Sequence, residues 1–283
     1  MNTSDLPTTD VQSVAPSARP QKELTVTPAM AQVWDTLLQF EAARYDEALD
    51  YLLSELCGLI NGTTAFWLGA LRVNTHMPGD QLLGWSPRVL HLLHTELSDS
   101  SFIKQQFARF NETEPDPSML EHVKRAGRFR AYLQTDIVDE QWYQSDYYLA
   151  KKAHNDLSDR LYIVTPLNED IECYICVDKL GEQPRFTRSD CDNAAALLRG
   201  LGWFQRQVSL SYGLHIGTAA ITATERRVLQ LLLTESSERQ IAAALNLTYN
   251  TVHSYVTTIY RKFDVKGRAG LTALWLGQGL SVR

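Results

Sequence analysis

Asn250, His253, Ser254, Thr257 and Arg261 recur at spacings of three and four. In a helix they share one face. All five side chains hydrogen-bond and none is acidic. Val252, Val256, Ile259 and Phe263 repeat at four, three and four and mark the opposite, apolar face. A helix of this kind suits the major groove of DNA, where donors and acceptors read base edges. The plainer reading, a solvated face of a small helical bundle, fits the same periodicity.

Other chemistry finds less support. Cys173 and Cys176 form a Cys-x-x-Cys, but they sit in "IECYICVDKL", which reads as a strand. Their side chains would then point to opposite faces, and zinc would need two further ligands. His91 and His94 stand three apart near Glu96, a spacing more often met in ordinary partly buried or surface histidines. No Gly-rich phosphate loop or nucleophile elbow is present. No acidic pair falls where a shared pocket would hold it. The sequence therefore predicts no catalytic residue, no metal and no cofactor.

The tail around the polar helix carries three helix starts. "TATE" is a capping box, with Thr222 as N-cap and Glu225 at the third helical position. "SERQ" repeats it with Ser237 and Gln240, and Thr248 is a third N-cap. The predicted helices run over 224–234, 238–245 and 249–263. Asn246 stands between the last two, and Asn tolerates the left-handed backbone that closes a helix in one step. So tight a helix pair is the signature of a helix-turn-helix.

From Ile221 to about Leu276 the chain resembles the LuxR-type DNA-binding domain. The matching residues are "IT…ER.VL", "S…IA..L", "T…TV", "Y…I..KF.V..R" and "L". They cover about a fifth of the chain. The resemblance implies that His253, Ser254 and Thr257, flanked by Asn250 and Thr251, contact bases. It implies that Arg261, Lys262 and Arg268 meet phosphates, which supply affinity while base contacts supply specificity. The family usually has Gly at Glu235, Glu at Gln240, Lys at Asn250 and His253, and His at Tyr255. Without the two lysines the helix is less positive.

The chain has 283 residues and is 44% hydrophobic, enough for two domains with real cores. Its net charge of −6 is uneven. From Ile216 onward eight basic residues face four acidic ones, giving +4 and leaving −10 for the rest. That split predicts two domains with different partners. No apolar run reaches the roughly 18 residues of a spanning helix, and no signal peptide opens the chain. A cytoplasmic protein without a membrane partner is the expectation.

The expected organisation is a disordered lead-in over 1–27, an α+β domain over 28–208, a linker over 209–219 and the all-α helix-turn-helix domain over 220–283. In the α+β domain, Ala29 to about Ile60 reads as two helices or one helix interrupted near Arg44. Strands are expected at Thr63–Val73, at "RFRAYLQT", and at "RLYIVTPL" and "IECYICVDKL", the last two joined as a hairpin by "NED". Ser86 to about Arg128 reads as mostly helical with a break at Pro115 and Pro117, and Asp139 to about Asn155 as helix. One long helix is expected from Thr187 or Ser189 to Val208. The order predicts a mainly antiparallel sheet with flanking helices.

The strand–hairpin–helix ending resembles a GAF-type domain, which implies a small-molecule sensor or a dimerisation module. The acidic pairs of a receiver domain are not found. "WYQSDYYLAKKAHNDL" lacks the Asp-Pro of an acyl-homoserine lactone sensor. Phe66, Trp67, Trp85, Tyr132, Trp142, Tyr147 and Tyr148 are candidate pocket residues, since aromatics with polar tips line pockets and ordinary cores alike. Leu197, Leu198, Leu201, Phe204 and Val208 form an apolar stripe that either pairs with a symmetry mate or packs on its own sheet.

Together these features predict a sequence-specific, DNA-binding transcriptional regulator of bacterial type, acting as a homodimer on double-stranded DNA, with an unknown small molecule as a further candidate partner. The alternative is a signalling adaptor whose helix-turn-helix no longer binds DNA. A ligand-handling enzyme with a DNA-binding appendage has no residues to stand on.

Overall fold

The computed structural model describes residues 24–72, 79–93, 115, 117–214 and 221–277. His94 lies outside them.

Helix α1 (Pro28–Leu37) is capped by Thr27, whose side chain accepts from the Met30 amide. A 3-10 turn at Ala42–Arg44 separates it from α2 (Tyr45–Ile60), where the sequence placed the interruption. Helix α2 buries Leu49, Leu52, Leu53 and Leu56 along one stripe and ends at Asn61 in the left-handed region.

Strand β1 (Thr64–Arg72) follows and pairs antiparallel with β2 (Trp85–Leu92), Trp67 opposite His91. β2 corrects the helical expectation for the stretch after Ser86. Its apolar spacing serves either structure, and β2 is an edge strand, where Pro87 is tolerated despite its missing donor. After α3 (Pro117–Lys124) come β3 (Arg130–Leu133), a 3-10 turn at Trp142–Gln144, and α4 (Asp146–Asn155). The hairpin β4 (Leu157–Pro166) and β5 (Ile171–Leu180) completes a five-stranded sheet of order β2-β1-β5-β4-β3, every neighbouring pair antiparallel.

The expected long closing helix is two: α5 (Arg188–Arg199) and α6 (Gly202–Ser211). Gly200 and Gly202 weaken the helix between them. The Trp34 indole donates to the Leu197 carbonyl at 2.8 Å, satisfying a group the broken helix leaves open. The stripe Leu197, Leu198, Leu201, Phe204 and Val208 is at most 1% exposed within the chain. Of the two alternatives, it packs within its own domain.

α1, α2, α5 and α6 cover one face of the sheet, which presents Trp67, Ile163, Cys173 and Ile175 to the core. The other face carries Phe66, Tyr132, Tyr162, Tyr174 and Cys176. Cys173 and Cys176 thus fall on opposite faces, as strand alternation requires. Just past α6, Leu214 lies against Gly69 of β1, so close that a Cβ there would stand 2.2 Å from its Cδ1.

The tail resumes at Ile221 with α7 (Ala223–Leu232), α8 (Glu238–Leu245), α9 (Tyr249–Lys262) and α10 (Arg268–Trp275). The first three match the predicted helices, and α10 was not anticipated. Its start has no side-chain cap, so no local signal announces it. A second core forms from Val228, Leu232, Ile241, Val252, Val256, Ile259 and Leu271.

Candidate nucleic-acid interface

Local bonds set the geometry of the tail. Thr222 and Glu225 cap each other reciprocally, as do Ser237 and Gln240, and Thr248 accepts from the Thr251 amide. Asn246 has φ 54° and ψ 46°, and the Leu247 amide returns to the Ala242 carbonyl at 2.9 Å. This left-handed closure leaves only three residues, Asn246, Leu247 and Thr248, between the end of α8 and the start of α9. Asn246→Ala is expected to cost about 1 kcal/mol of tail stability, the penalty for a Cβ in that region, while Asn246→Gly should be nearly neutral. Thermal melts of the two variants decide it.

Val252, Val256 and Ile259 point into the second core, with Tyr255 and Tyr260 packed partly against it, so the opposite side of α9 faces outward. Asn250, His253, Ser254, Thr257 and Arg261 are exposed, and Thr251 is half-buried with its hydroxyl 2.8 Å from that of Thr248. The Thr257 hydroxyl donates to the His253 carbonyl at 2.9 Å. Its hydrogen is therefore engaged, leaving an acceptor oxygen and a methyl group to face outward. His253 Nδ1 lies 3.0 Å from Glu238 Oε2, and its ring stacks on Tyr249 with centroids 6.0 Å apart. Tyr249, 48% exposed at the first turn of α9, is a surface residue that the polar-face pattern missed. An aromatic in the first turn of α9 was its only signal.

The three cations divide. Arg261 is exposed. Lys262 is turned inward, its Nζ 2.8 Å from Glu225 Oε2, with side chains 18% and 6% exposed. Arg268 donates to the Ser236 carbonyl at 2.5 Å. Lys262 and Arg268 thus also brace the domain from within, whereas Arg261 is exposed. Burial pushes the Glu225 carboxyl up, but hydrogen bonds from Lys262 and the Thr222 amide outweigh it and hold the group below its ordinary range. A depressed carboxyl stabilises the tail above its unfolded pKa, and that contribution is lost as pH falls through the folded value.

The six candidate pocket aromatics with described side chains do not gather at one place. Phe66 and Tyr132 lie on the outer face of the sheet. Trp67, next to Phe66 in sequence, points to the inner face and donates to Gln205 at 2.7 Å, since successive strand residues alternate. Trp85 lies on edge strand β2 with Arg72 5.7 Å from its ring. Trp142 and Tyr148 pack with Tyr143. Tyr147 is on α4, and its side chain lies outside the described residues.

What the aromatic list missed is a buried polar network on the outer face. Arg130 grips Glu172 with two bonds of 2.7 Å and also touches the Tyr132 and Tyr174 hydroxyls. His122 Nδ1 lies 2.7 Å from the Tyr132 hydroxyl. Beside it Tyr162 donates to Gln134 Oε1 at 2.6 Å, while Gln134 Nε2 is buried without a partner among the described residues. Charged residues inside strand patterns, Arg130 and Glu172, were the available signal.

Residues 219–275 match the GerE family, bacterial regulatory proteins of the luxR family. The tail is thus a luxR-type helix-turn-helix domain, set behind an antiparallel sheet domain with flanking helices. No curated protein matches the chain. Among solved structures, Escherichia coli SdiA is similar at 12% identity and TM-score 0.42, covering 90% of this chain and 98% of that one. The VqsR LBD domain of Pseudomonas aeruginosa gives 17% and 0.45, covering 64% and 95%. SdiA in complex with octanoyl-rac-glycerol gives 13% and 0.41, covering 90% and 98%.

Proposed function

We propose that this protein is a sequence-specific transcription regulator of bacterial type whose helix α9 reads the major groove. The observation that carries the reading is the outward face of α9. It is exposed and free of acids, and it is held by capped helices in a tight helix-turn-helix. Asn250, Thr251, His253, Ser254 and Thr257 serve as base readers and Arg261 as the principal phosphate contact. Lys262 and Arg268 act mainly by shaping the domain. A module this small acts as a homodimer on a two-fold site.

The sheet domain, GAF-like in its order of strands and helices, senses a small molecule or mediates dimerisation. The buried Gln134 Nε2, without a partner among the described residues, favours the sensing role, because a ligand group would satisfy it. A cytoplasmic regulator without enzymatic activity fits this reading. No helix among the described residues is long and apolar enough to cross a membrane.

The test is selection of bound sequences from a random DNA pool by the full-length protein, followed by titration in salt. One palindromic site should emerge. Arg261→Ala should weaken binding to every sequence alike and lower the salt slope by about one. His253→Ala and Thr257→Ala should instead relax base preference, each by about 1–3 kcal/mol at one position. If all three variants behave alike, the assignment of faces on α9 fails.

One observation favours the runner-up, a protein-interaction adaptor. With Asn250 and His253 at lysine positions and Lys262 turned inward, the reading face holds little positive charge. Absence of any salt-sensitive DNA binding would favour the adaptor.

A further inference from the structure

The two cores meet at a charged contact. Arg226 of α7 reaches across to Asp46 in the first turn of α2, with Nη1 to Oδ2 at 3.0 Å and Nη2 to Oδ1 at 2.5 Å. Its Nε donates to the Ser211 carbonyl at 3.2 Å, at the C-terminal end of α6. The guanidinium lies 3.6 Å from the centre of the Tyr212 ring. The Tyr212 hydroxyl donates to Asp46 Oδ1 at 3.0 Å. Both helix dipoles favour this placement, an acid at the start of α2 and a cation at the end of α6. The Arg226 side chain is 11% exposed, so water screens the pair only partly.

A second contact sits one residue away. The Trp275 ring of α10 meets Tyr45 edge-on with centroids 4.8 Å apart. The start of α2 therefore receives α7 through Asp46 and α10 through Tyr45. Tyr212 in turn is fixed to the sheet. It stacks on Trp67 of β1 at 5.3 Å, and His91 of β2 lies 2.8 Å from its hydroxyl. The other His91 nitrogen is 2.9 Å from Asp50 of α2. A chain of polar contacts thus runs from edge strand β2 to the first helix of the tail. The docking takes up α7 and α10 and leaves the outward face of α9 exposed.

We propose that Asp46, Tyr212 and Arg226 form an interdomain clamp that positions the DNA-reading tail on the sheet domain with its reading face outward. A bidentate guanidinium–carboxylate pair stacked on an aromatic ring has one geometry, so it fixes orientation as well as proximity. His91 and Trp67 tie that geometry to the sheet, so the clamp transmits a rearrangement of β1 or β2 to the reader. The inference goes beyond the proposed DNA-reading role, since the clamp exists whether or not the tail meets DNA.

The test reads orientation directly in the full chain. The native cysteines are all buried, so cysteines placed at exposed Glu55 and Arg239 take spin labels selectively. The unsubstituted clamp should give one narrow distance distribution between labels, and Asp46→Ala or Arg226→Ala should broaden it, with far-UV circular dichroism unchanged. Should either alanine variant fail to fold, Asp46→Asn and Arg226→Gln remove the charge at nearly constant size. A distribution that is broad from the start, or that stays narrow in the variants, overturns the clamp. A second arm rests on the DNA-reading proposal. Affinity for the selected site should fall about tenfold in the variants, through lost preorganisation, with base preference kept. Unchanged affinity overturns the positioning role. Failure of the unsubstituted protein to bind any DNA refutes the reading of the tail and leaves the distance result to decide the clamp.

Discussion

Val256→Asp will unfold the helix-turn-helix and leave the sheet domain folded. Val256 is 2% exposed and sits with Val228, Ile241, Val252 and Ile259 in the smaller of the two main cores. A carboxylate there has no partner in an apolar shell, and the cost is about 4 kcal/mol or more. A four-helix tail with so small a core has little stability to lose. The control is Thr257→Asp, one residue along on the exposed face. That change should alter stability by no more than about 0.5 kcal/mol. It should still abolish DNA binding, because it sets a negative charge against the phosphates. Two-domain thermal melts followed by methyl NMR separate the cases. Equal stability of the two variants would mean that the face of α9 assigned to the core is wrong.

Glu172→Ala is expected to destabilise the sheet domain by about 3–5 kcal/mol, the usual cost of breaking a buried pair from one side. Glu172 is fully buried and the Arg130 side chain is 7% exposed. Removing the carboxylate strands the guanidinium among Tyr132, Tyr174 and the His122 carbonyl. The Gly127 amide also loses its acceptor, at 2.8 Å. Burial works against the charge of Arg130, but Glu172 and the surrounding hydroxyls overcome it and push its pKa up, so the arginine stays charged. Adding Arg130→Met to Glu172→Ala should restore much of the loss, since the orphaned charge disappears. Denaturant unfolding of the two variants measures this. A loss below about 1 kcal/mol for Glu172→Ala would show that water reaches the site and screens the pair.

Much of the tail was legible in the sequence because its geometry is set locally. Thr222 with Glu225, Ser237 with Gln240, and Thr248 start helices through bonds that reach three residues. Asn246 turns the chain by its own backbone preference. The alternation that put Cys173 and Cys176 on opposite faces is equally local, as is the hairpin of β4 and β5. What the sequence by itself determined was therefore the helix-turn-helix, the polar face of α9 and the antiparallel sheet class.

The rest depended on partners far along the chain. β2 is a strand because β1 offers it a free edge, which the spacing of its apolar residues does not record. The Leu197 carbonyl freed where the closing helix breaks is taken by Trp34, remote in sequence. Lys262 and Arg268 turn inward because Glu225 and the Ser236 carbonyl lie within reach only once the helices have packed. Trp67 leaves Phe66 for the other face, and Arg226 finds Asp46 180 residues away. Capping and periodicity act over one or two helical turns, whereas the destination of a charged side chain is set by whichever opposite charge the fold brings beside it. Only the tertiary structure could decide that.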